Sequence, residues 1–153
     1  GQNLGVGDEK RARKGANTAV LLALIITSLL MLPIMIFAPE ISWVFNKDVG
    51  VIEYSTLFLR SITPFYLISC FNQPYMSALR GAGNTKVPMF MMLFGFIGVR
   101  QLYLFIMSTF ISNSAVPIGL SYPVGWFACA LGVTIYYFSV SLAKFRLVDN
   151  KTK

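Results

Sequence analysis

The sequence predicts an all-helical protein embedded in a membrane, because of its composition, its long apolar runs and the positions of its basic residues. Of the 153 residues, 56% are hydrophobic and only 12% are charged, and the mean hydropathy is +0.65. A soluble domain carries about 25% charged residues, so the polar residues here are too few to cover a water-facing surface. The apolar runs are continuous rather than alternating, which favours helices over the strands of a β-barrel.

Four apolar stretches are long enough to cross a bilayer, which takes about 20 residues of helix. The four predicted spans cover residues 16–37, 52–79, 87–110 and 117–143. Residues 1–15 are predicted to form a glycine-rich basic loop, and residues 144–153 a basic tail.

The first span follows directly on the basic loop. Asp8 can cap a helix that begins near Glu9, because a short carboxylate accepts hydrogen bonds from the free N–H groups of a first helical turn. The segment "APEISWVFNKDVG" connects the first span to the second. Trp43 in this segment is predicted to anchor it at the membrane interface.

The second span is the most polar and contains two prolines. Pro64 and Pro74 each remove a backbone hydrogen bond, so the helix is predicted to bend near one of them. Asn72 or Gln73 is predicted to face the interior of the bundle, and Tyr66 lies near the first break. A broken helix with amide side chains is typical of those that line transport pathways. The alternative is a kinked packing helix whose amides are satisfied by neighbours.

The third span is predicted to begin after a cap at Asn84 or Thr85, with Pro88 in its first turn. Arg100 lies near its middle, followed by Gln101. A charge at the centre of a bilayer costs about 3 kcal/mol, so Arg100 should face protein or a wet cavity. Two roles stay open for Arg100. It is either a structural residue that bonds carbonyls or an acid elsewhere, or a residue that lines or gates a cavity.

The fourth span is predicted to begin after Ser114 or Ser121. Small residues recur at every fourth position in Ser121, Gly125 and Cys129. Such a face allows another helix to approach closely, so packing is the predicted role of this span.

The basic residues determine the predicted orientation. Lys and Arg outside the spans cluster in residues 1–15, 80–86 and 144–153, whereas residues 38–51 hold one Lys and residues 111–116 hold no charge. By the positive-inside rule, both ends of the chain and the 80–86 loop are predicted to be cytoplasmic. Asn113 is then on the outer side, and the protein is a multi-pass protein of the plasma membrane.

Several function classes are excluded by composition. The chain has no histidine, which removes His-based acid–base catalysis and His metal ligands. Cys70 and Cys129 are isolated in apolar runs and form no metal or redox motif. No enzyme activity, cofactor or metal is therefore predicted. The net charge of +7 lies in the membrane-flanking loops and predicts no nucleic-acid partner.

Two glycine-rich loops resemble each other. "LGVGDEK" holds Gly5, Gly7 and Asp8, and "LRGAGNTK" holds Gly81, Gly83 and Asn84. Neither has the GK[ST] ending of a phosphate-binding loop. The glycines allow a left-handed turn and the Asp or Asn caps the following helix. The similarity indicates either a re-used turn or a true internal repeat, which is common in transporters.

The segments "GQNLGVGDEKRARKGANTA" and "SALRGAGNTKVPM" resemble the multidrug and toxic compound extrusion (MATE) family. The resemblance implies a transporter of twelve helices in two bundles around a central cavity. The chain would be a C-terminal fragment that supplies the last four helices. Its partners would be the eight preceding helices, the lipid bilayer and small organic cations or drugs.

The resemblance further implies secondary active efflux, in which organic cations are exchanged for protons or sodium. A flippase for lipid-linked oligosaccharides and a non-transporting membrane scaffold are the alternatives. The residues predicted to line the pathway are Tyr66, Asn72, Gln73, Arg100 and Gln101. No Asp or Glu lies inside an apolar span, since Glu53 is at the outer edge of the second, so the coupling site is expected outside this chain.

Overall fold

The computed structural model describes residues 1–111 and 114–145, and these residues form helices and turns without strands. The predicted all-helical class is therefore confirmed. Within the described residues, six helices have eight or more residues. They are α1 (Glu9–Ile36), α2 (Ala38–Phe45), α3 (Val49–Ile62), α4 (Tyr66–Gly81), α5 (Lys86–Ile111) and α6 (Ala115–Ser139). Asn113 and the tail beyond residue 145 lie outside the described residues.

Three of these helices, α1, α5 and α6, are long and apolar enough to cross a membrane. The predicted span over residues 52–79 is not one continuous helix. It consists of α3 and α4, joined by a single 3₁₀ turn at Thr63–Phe65. The break lies at Pro64, one of the two positions predicted, because proline cannot donate the hydrogen bond that would continue the helix. Pro74 lies inside α4 without ending it.

The predicted connection over residues 38–51 is partly helical. Helix α2 occupies Ala38–Phe45 with proline in its first turn, where the missing N–H costs nothing. The Trp43 ring is exposed, and the Lys47 ammonium lies 5.4 Å from its centroid. The predicted end of the fourth span at residue 143 is wrong. Helix α6 ends at Ser139, because Val140 is extended.

The helices pack in the order α1, α4, α6, α5. Helix α4 contacts α1 on one side and α6 on the other, and α5 packs mainly on α6. The core lies where α4 meets its neighbours and includes Val20, Met76, Leu79, Val133 and Tyr137. Helices α1 and α5 leave most of their apolar side chains exposed, whereas α6 is much more buried.

The two glycine loops have the same local geometry. Gly7 has a φ of 86° and Gly83 a φ of 101°. Residues other than glycine rarely adopt this left-handed backbone conformation. Asp8 Oδ1 accepts a hydrogen bond of 2.8 Å from the Arg11 N–H. Asn84 Oδ1 accepts one of 3.3 Å from the Val87 N–H. In each loop a left-handed glycine therefore precedes a residue that caps the next helix.

A carboxylate fixes the chain that follows α6. The Glu9 side chain accepts hydrogen bonds from the Ser141 hydroxyl at 2.6 Å, the Leu142 N–H at 3.1 Å and the Ala143 N–H at 3.4 Å. It also pairs with Arg13 at 2.8 Å. The Ser141 hydrogen bond is the largest cause that lowers the pKa of Glu9 from 4.5 to about 2. Glu9 therefore links the start of α1 to the segment after α6.

Arg13 adds to this link as a hydrogen-bond donor, whereas Glu9 is an acceptor. Its guanidinium donates to the Tyr137 carbonyl at 3.3 Å and to the Val140 carbonyl at 2.6 Å. These carbonyls lie at the C-terminal end of α6, where backbone acceptors lack helical partners and the helix dipole favours positive charge. We call the Glu9–Arg13 pair and its α6 partners the terminal clamp.

Replacing Glu9 by Gln is expected to loosen the terminal clamp. The glutamine loses the charge-assisted hydrogen bonds, and the free energy of unfolding should fall by about 1–2 kcal/mol. The pKa of Glu9 is lower in the folded protein than its ordinary 4.5. Its stabilisation should therefore be complete above that pH and be lost as the pH falls towards 2. Thermal unfolding of the purified protein across this pH range measures both effects.

The matched control is Glu53→Gln, which neutralises an exposed carboxylate that forms no hydrogen bond or ion pair with the described residues. It should leave the midpoint and its pH dependence unchanged. Equal effects of the two variants would show that the clamp adds nothing to stability.

Candidate functional site

The helix break lies halfway along residues 49–81. The Thr63 hydroxyl donates a 2.6 Å hydrogen bond to the Leu59 carbonyl, which also accepts the Thr63 N–H. Pro64 has no N–H to donate to the Arg60 carbonyl four residues earlier. Irregular backbone at the depth of a membrane is tolerated only where protein or cavity water meets it. Discontinuous helices of this type commonly form binding sites near the midplane in transporters.

A cavity of about 270 Å³ lies beside the break, between it and α1. The α1 side of the wall includes Leu30 and Met31, and the opposite side includes Thr63 and Tyr66. The lining is mainly apolar, and the side chains of Thr27, Thr63 and Tyr66 add three hydroxyl groups. A methionine in the wall allows the cavity to adapt its shape.

Three aromatic rings connect the break to α6. The Tyr66 ring lies 4.8 Å from the Trp126 ring, and the Trp126 ring lies 6.1 Å from the Tyr122 ring, measured between centroids. We call these three residues the aromatic row. Trp126 is buried, whereas Tyr66 and Tyr122 are exposed at 49% and 38%. The buried Trp126 ring therefore lies between two accessible tyrosine rings, one on each side.

Arg100 lies at the far end of the aromatic row. Its guanidinium carbon lies 3.9 Å from the Tyr122 ring centroid, within the range of a cation–π interaction. Its Nε lies 3.5 Å from the Ser121 hydroxyl oxygen, a long hydrogen bond. Among the described residues no carboxylate forms an ion pair with it. An aromatic face and one hydroxyl are thus its partners in this part of the chain.

A close contact between α5 and α6 positions Arg100 beside Ser121 and Tyr122. A Cβ added at Gly95 would lie 2.8 Å from Cys129 Cβ, and one added at Gly125 would lie 2.8 Å from the Gly95 carbonyl oxygen. The predicted face of small residues on α6 is therefore the face on which α5 packs. The residues just before Arg100, Leu93–Val99, form a π-helical segment, a widened geometry frequent at functional sites.

Asn72 faces the bundle interior, but not the aromatic row. It is 1% exposed, and its Nδ2 donates to Cys129 Sγ at 3.2 Å. Its Oδ1 is buried without a hydrogen-bond partner among the described residues. Gln73 and Gln101 are exposed and take no part in this cluster. Of the five residues predicted to line a pathway, Tyr66 and Arg100 lie at the two ends of one chain of contacts through Trp126 and Tyr122.

Trp126 and Tyr122 were not predicted as site residues. They lie four positions apart on α6, so that their rings follow one face of the helix. This spacing was available in the sequence, but it is equally typical of packing. The sequence predicts Ser121 as a possible helix start and as part of the small-residue face. Its contact with Arg100 depends on the antiparallel pairing of α5 with α6.

The described residues contain no cluster of three Asp, Glu, Cys or His side chains that could hold a metal ion. The family model named MatE matches residues 1–106, which is more than half of the chain. The chain belongs to the MatE family. Proteins of the MATE family are membrane transporters rather than enzymes. No curated protein and no solved structure matches the chain.

The matched region includes the helix break and Arg100, together with both glycine loops, and it ends before α6. The MATE membership therefore rests on the part that contributes Tyr66 to the site, whereas Tyr122 and Trp126 lie beyond residue 106.

Gly95→Ala is expected to disturb the site by separating α5 from α6. The added methyl would meet Cys129 and the Gly125 backbone at 2.8 Å, and such overpacking typically costs 1–3 kcal/mol. The thermal unfolding midpoint should fall, and the fluorescence of Trp126 should change as its surroundings shift. Trp43, the other tryptophan of the sequence, is replaced by Phe in the parent, in this variant and in its control, so that the fluorescence comes from Trp126 alone.

Gly98→Ala is the matched control in the same π-helical segment. There the nearest atom to an added Cβ is Phe94 Cδ2 at 3.7 Å, an ordinary contact. This variant should unfold like the parent. If both alanines have the same effect, the close contact is not what positions the site.

Proposed function

We propose that this chain is part of a secondary active exporter that moves amphipathic organic cations out of the cell in exchange for protons or sodium ions. MATE family membership supports transport, and the observation that supports the site is the helix break with its aromatic row. The cavity, the row and Arg100 form a continuous set of groups from α1 to α5. We propose that this set lines the substrate pathway.

The chemistry of the set suits an amphipathic cation. The apolar cavity of about 270 Å³ beside the break has room for a small ring or alkyl group. The exposed face of Tyr66 can attract a positive charge, which contributes about 0.5–2 kcal/mol depending on how far the charge is desolvated. Arg100 occupies the Tyr122 end of the row, so a cationic substrate is expected at the Tyr66 end, away from the guanidinium.

Arg100 is proposed to link substrate movement to the coupling ion. The six acidic residues of the sequence lie outside the centres of the apolar stretches, so the coupling carboxylate would come from another part of the transporter. Arg100, which is half-buried, would pair with that carboxylate when the carboxylate is charged. Protonation of the carboxylate, or a sodium ion bound to it, would weaken the pair and free the arginine.

We further propose four membrane crossings, with α3 and α4 together forming the second. Both ends of the chain and the 80–86 loop would be cytoplasmic, in the plasma membrane. The exposed apolar faces of α1 and α5 would then contact lipid or the remaining helices of a two-bundle transporter. Gln73 on α4 and Gln101 on α5 are both exposed. They are proposed to face the cavity between bundles rather than lipid, where an amide is costly.

The proposed topology predicts which cysteines a membrane-impermeant maleimide can reach in whole cells. Lys47→Cys, in the outer connection, should react in intact cells. Thr85→Cys, next to the second glycine loop, should react only after the membrane is permeabilised. Both positions are exposed. The background carries Cys70→Ala, because Cys70 is only partly buried.

If Thr85→Cys reacts in intact cells and Lys47→Cys does not, the orientation is opposite to the one proposed. The parent without either new cysteine should stay unlabelled, since Cys129 is buried.

The proposed mechanism predicts that Arg100→Ala abolishes coupled efflux. Removal of the guanidinium leaves a paired carboxylate stranded in the membrane, which costs about 3–5 kcal/mol. Efflux of a fluorescent organic cation from vesicles with the intact protein, under imposed proton or sodium gradients, should fall at least tenfold. Arg80→Ala, an exposed cytoplasmic change of the same type, should transport like the parent.

Two results would contradict different parts of this proposal. Parent efflux that ignores both gradients would reject antiport and favour the flippase of lipid-linked oligosaccharides. Unchanged, gradient-driven efflux in Arg100→Ala would reject the role of Arg100 and leave antiport standing.

A further inference from the structure

The first turns of α1 form a basic groove apart from the candidate pathway. The groove is open, has a volume of about 500 Å³, and is lined by Lys10, Arg13, Lys14, Asn17, Thr18 and Leu21. Lys10, Lys14 and Thr18 follow one another at intervals of four residues and therefore share one face of the helix. Three positive side chains line the groove, and no carboxylate does.

The positive charge of this groove is only partly neutralised by the protein. Arg13 is paired with Glu9 at 2.8 Å and donates to two carbonyls of α6. Lys10 and Lys14 are exposed, and within the described ranges neither forms an ion pair. Two ammonium groups one helical turn apart are thus available to an anion. The clamp holds the helix that carries them in a fixed position.

An apolar stripe continues directly below the lysines. Leu21 closes the groove and is 59% exposed, and Ile25, one turn further along the same face, is 48% exposed. Leu22 beside them is 52% exposed. The helix therefore passes from ammonium groups through the Thr18 hydroxyl to uncovered aliphatic side chains within about three turns. A free anion would contact only the lysines of this surface and not its apolar stripe.

We infer that the groove binds an anionic phospholipid, whose phosphate lies between Lys10 and Lys14 and whose acyl chains lie along Leu21 and Ile25. The charge of the groove is complementary to an acidic headgroup, and basic residues next to a membrane helix attract anionic lipids. The order of basic, hydroxyl and apolar groups follows the order of phosphate, glycerol and acyl chain in such a lipid. The inference rests on membrane insertion of α1 and not on the substrate or coupling ion.

Native mass spectrometry of the intact protein, with phosphatidylglycerol and phosphatidylcholine in competition, tests the inference. The parent should retain phosphatidylglycerol in preference. Lys10→Gln with Lys14→Gln should weaken phosphatidylglycerol binding at least tenfold, as expected for two lysines near a membrane surface. Lys10→Arg with Lys14→Arg keeps both charges and should bind like the parent, which separates loss of binding from loss of folding.

The matched control is Arg11→Gln with Lys86→Gln, which removes the same net charge from exposed positions outside the groove. It should weaken binding by less than threefold. Glycerol phosphate at millimolar concentration should not displace the lipid, because it lacks the acyl chains. Equal losses in the two glutamine pairs, or displacement by glycerol phosphate, would overturn the inference. So would a parent that prefers neither lipid, which would indicate that another protein segment covers the groove.

Discussion

The close approach of α5 to α6 is the contact on which the candidate site depends. Gly95 and Gly125 let the two backbones meet, and a Cβ at either position would lie 2.8 Å from the other helix. Because the helices are antiparallel and in contact here, Arg100 lies beside Ser121 and Tyr122 one turn away. Cys129, on the same face of α6, also receives the Asn72 amide from α4. One small-residue face thus sets the position of two other helices.

The membrane explains why these contacts involve small and polar groups. Helices in lipid gain little from burying leucine against leucine, so close packing and hydrogen bonds between helices determine their arrangement. The Thr27 hydroxyl donates to Cys70 between α1 and α4 at 3.1 Å, and Asn84 donates to Tyr136 at 2.8 Å. The exposed leucines of α1 are compatible with lipid, whereas the helix break needs protein or water beside it.

Three basic residues, Arg13, Lys47 and Arg60, have different partners in the structure. Arg13 is held by a carboxylate and two carbonyls, Lys47 lies near an aromatic ring, and Arg60 donates to the Met35 carbonyl at 3.2 Å. Arg100 is the arginine placed farthest from the predicted membrane surfaces, and its partners are the Tyr122 ring and the Ser121 hydroxyl. Since guanidinium groups stack on aromatic faces better than ammonium groups do, arginine rather than lysine suits this position.

The sequence by itself determined the helical membrane class, the two capped glycine loops and an interruption at Pro64 or Pro74. The structure places the interruption at Pro64. These features depend on local properties: hydropathy over a run of residues, the left-handed freedom of glycine and the missing N–H of proline. The MATE resemblance likewise depended on contiguous motifs. Local pattern did not show that residues 38–45 form a helix, because a short amphipathic segment beside a membrane resembles a loop in composition.

Only the tertiary structure decided which polar residues meet. Tyr66 and Arg100 lie 34 positions apart, and the aromatic row between them comes from α6, which the sequence indicated only as a packing helix. Asn72 and Gln73 were equivalent in the sequence, yet one is buried against Cys129 and the other is exposed. Adjacent residues on a helix point about 100° apart, so the neighbour that faces the core is fixed by which side α6 packs on. That side is a property of the assembled bundle and not of any single segment.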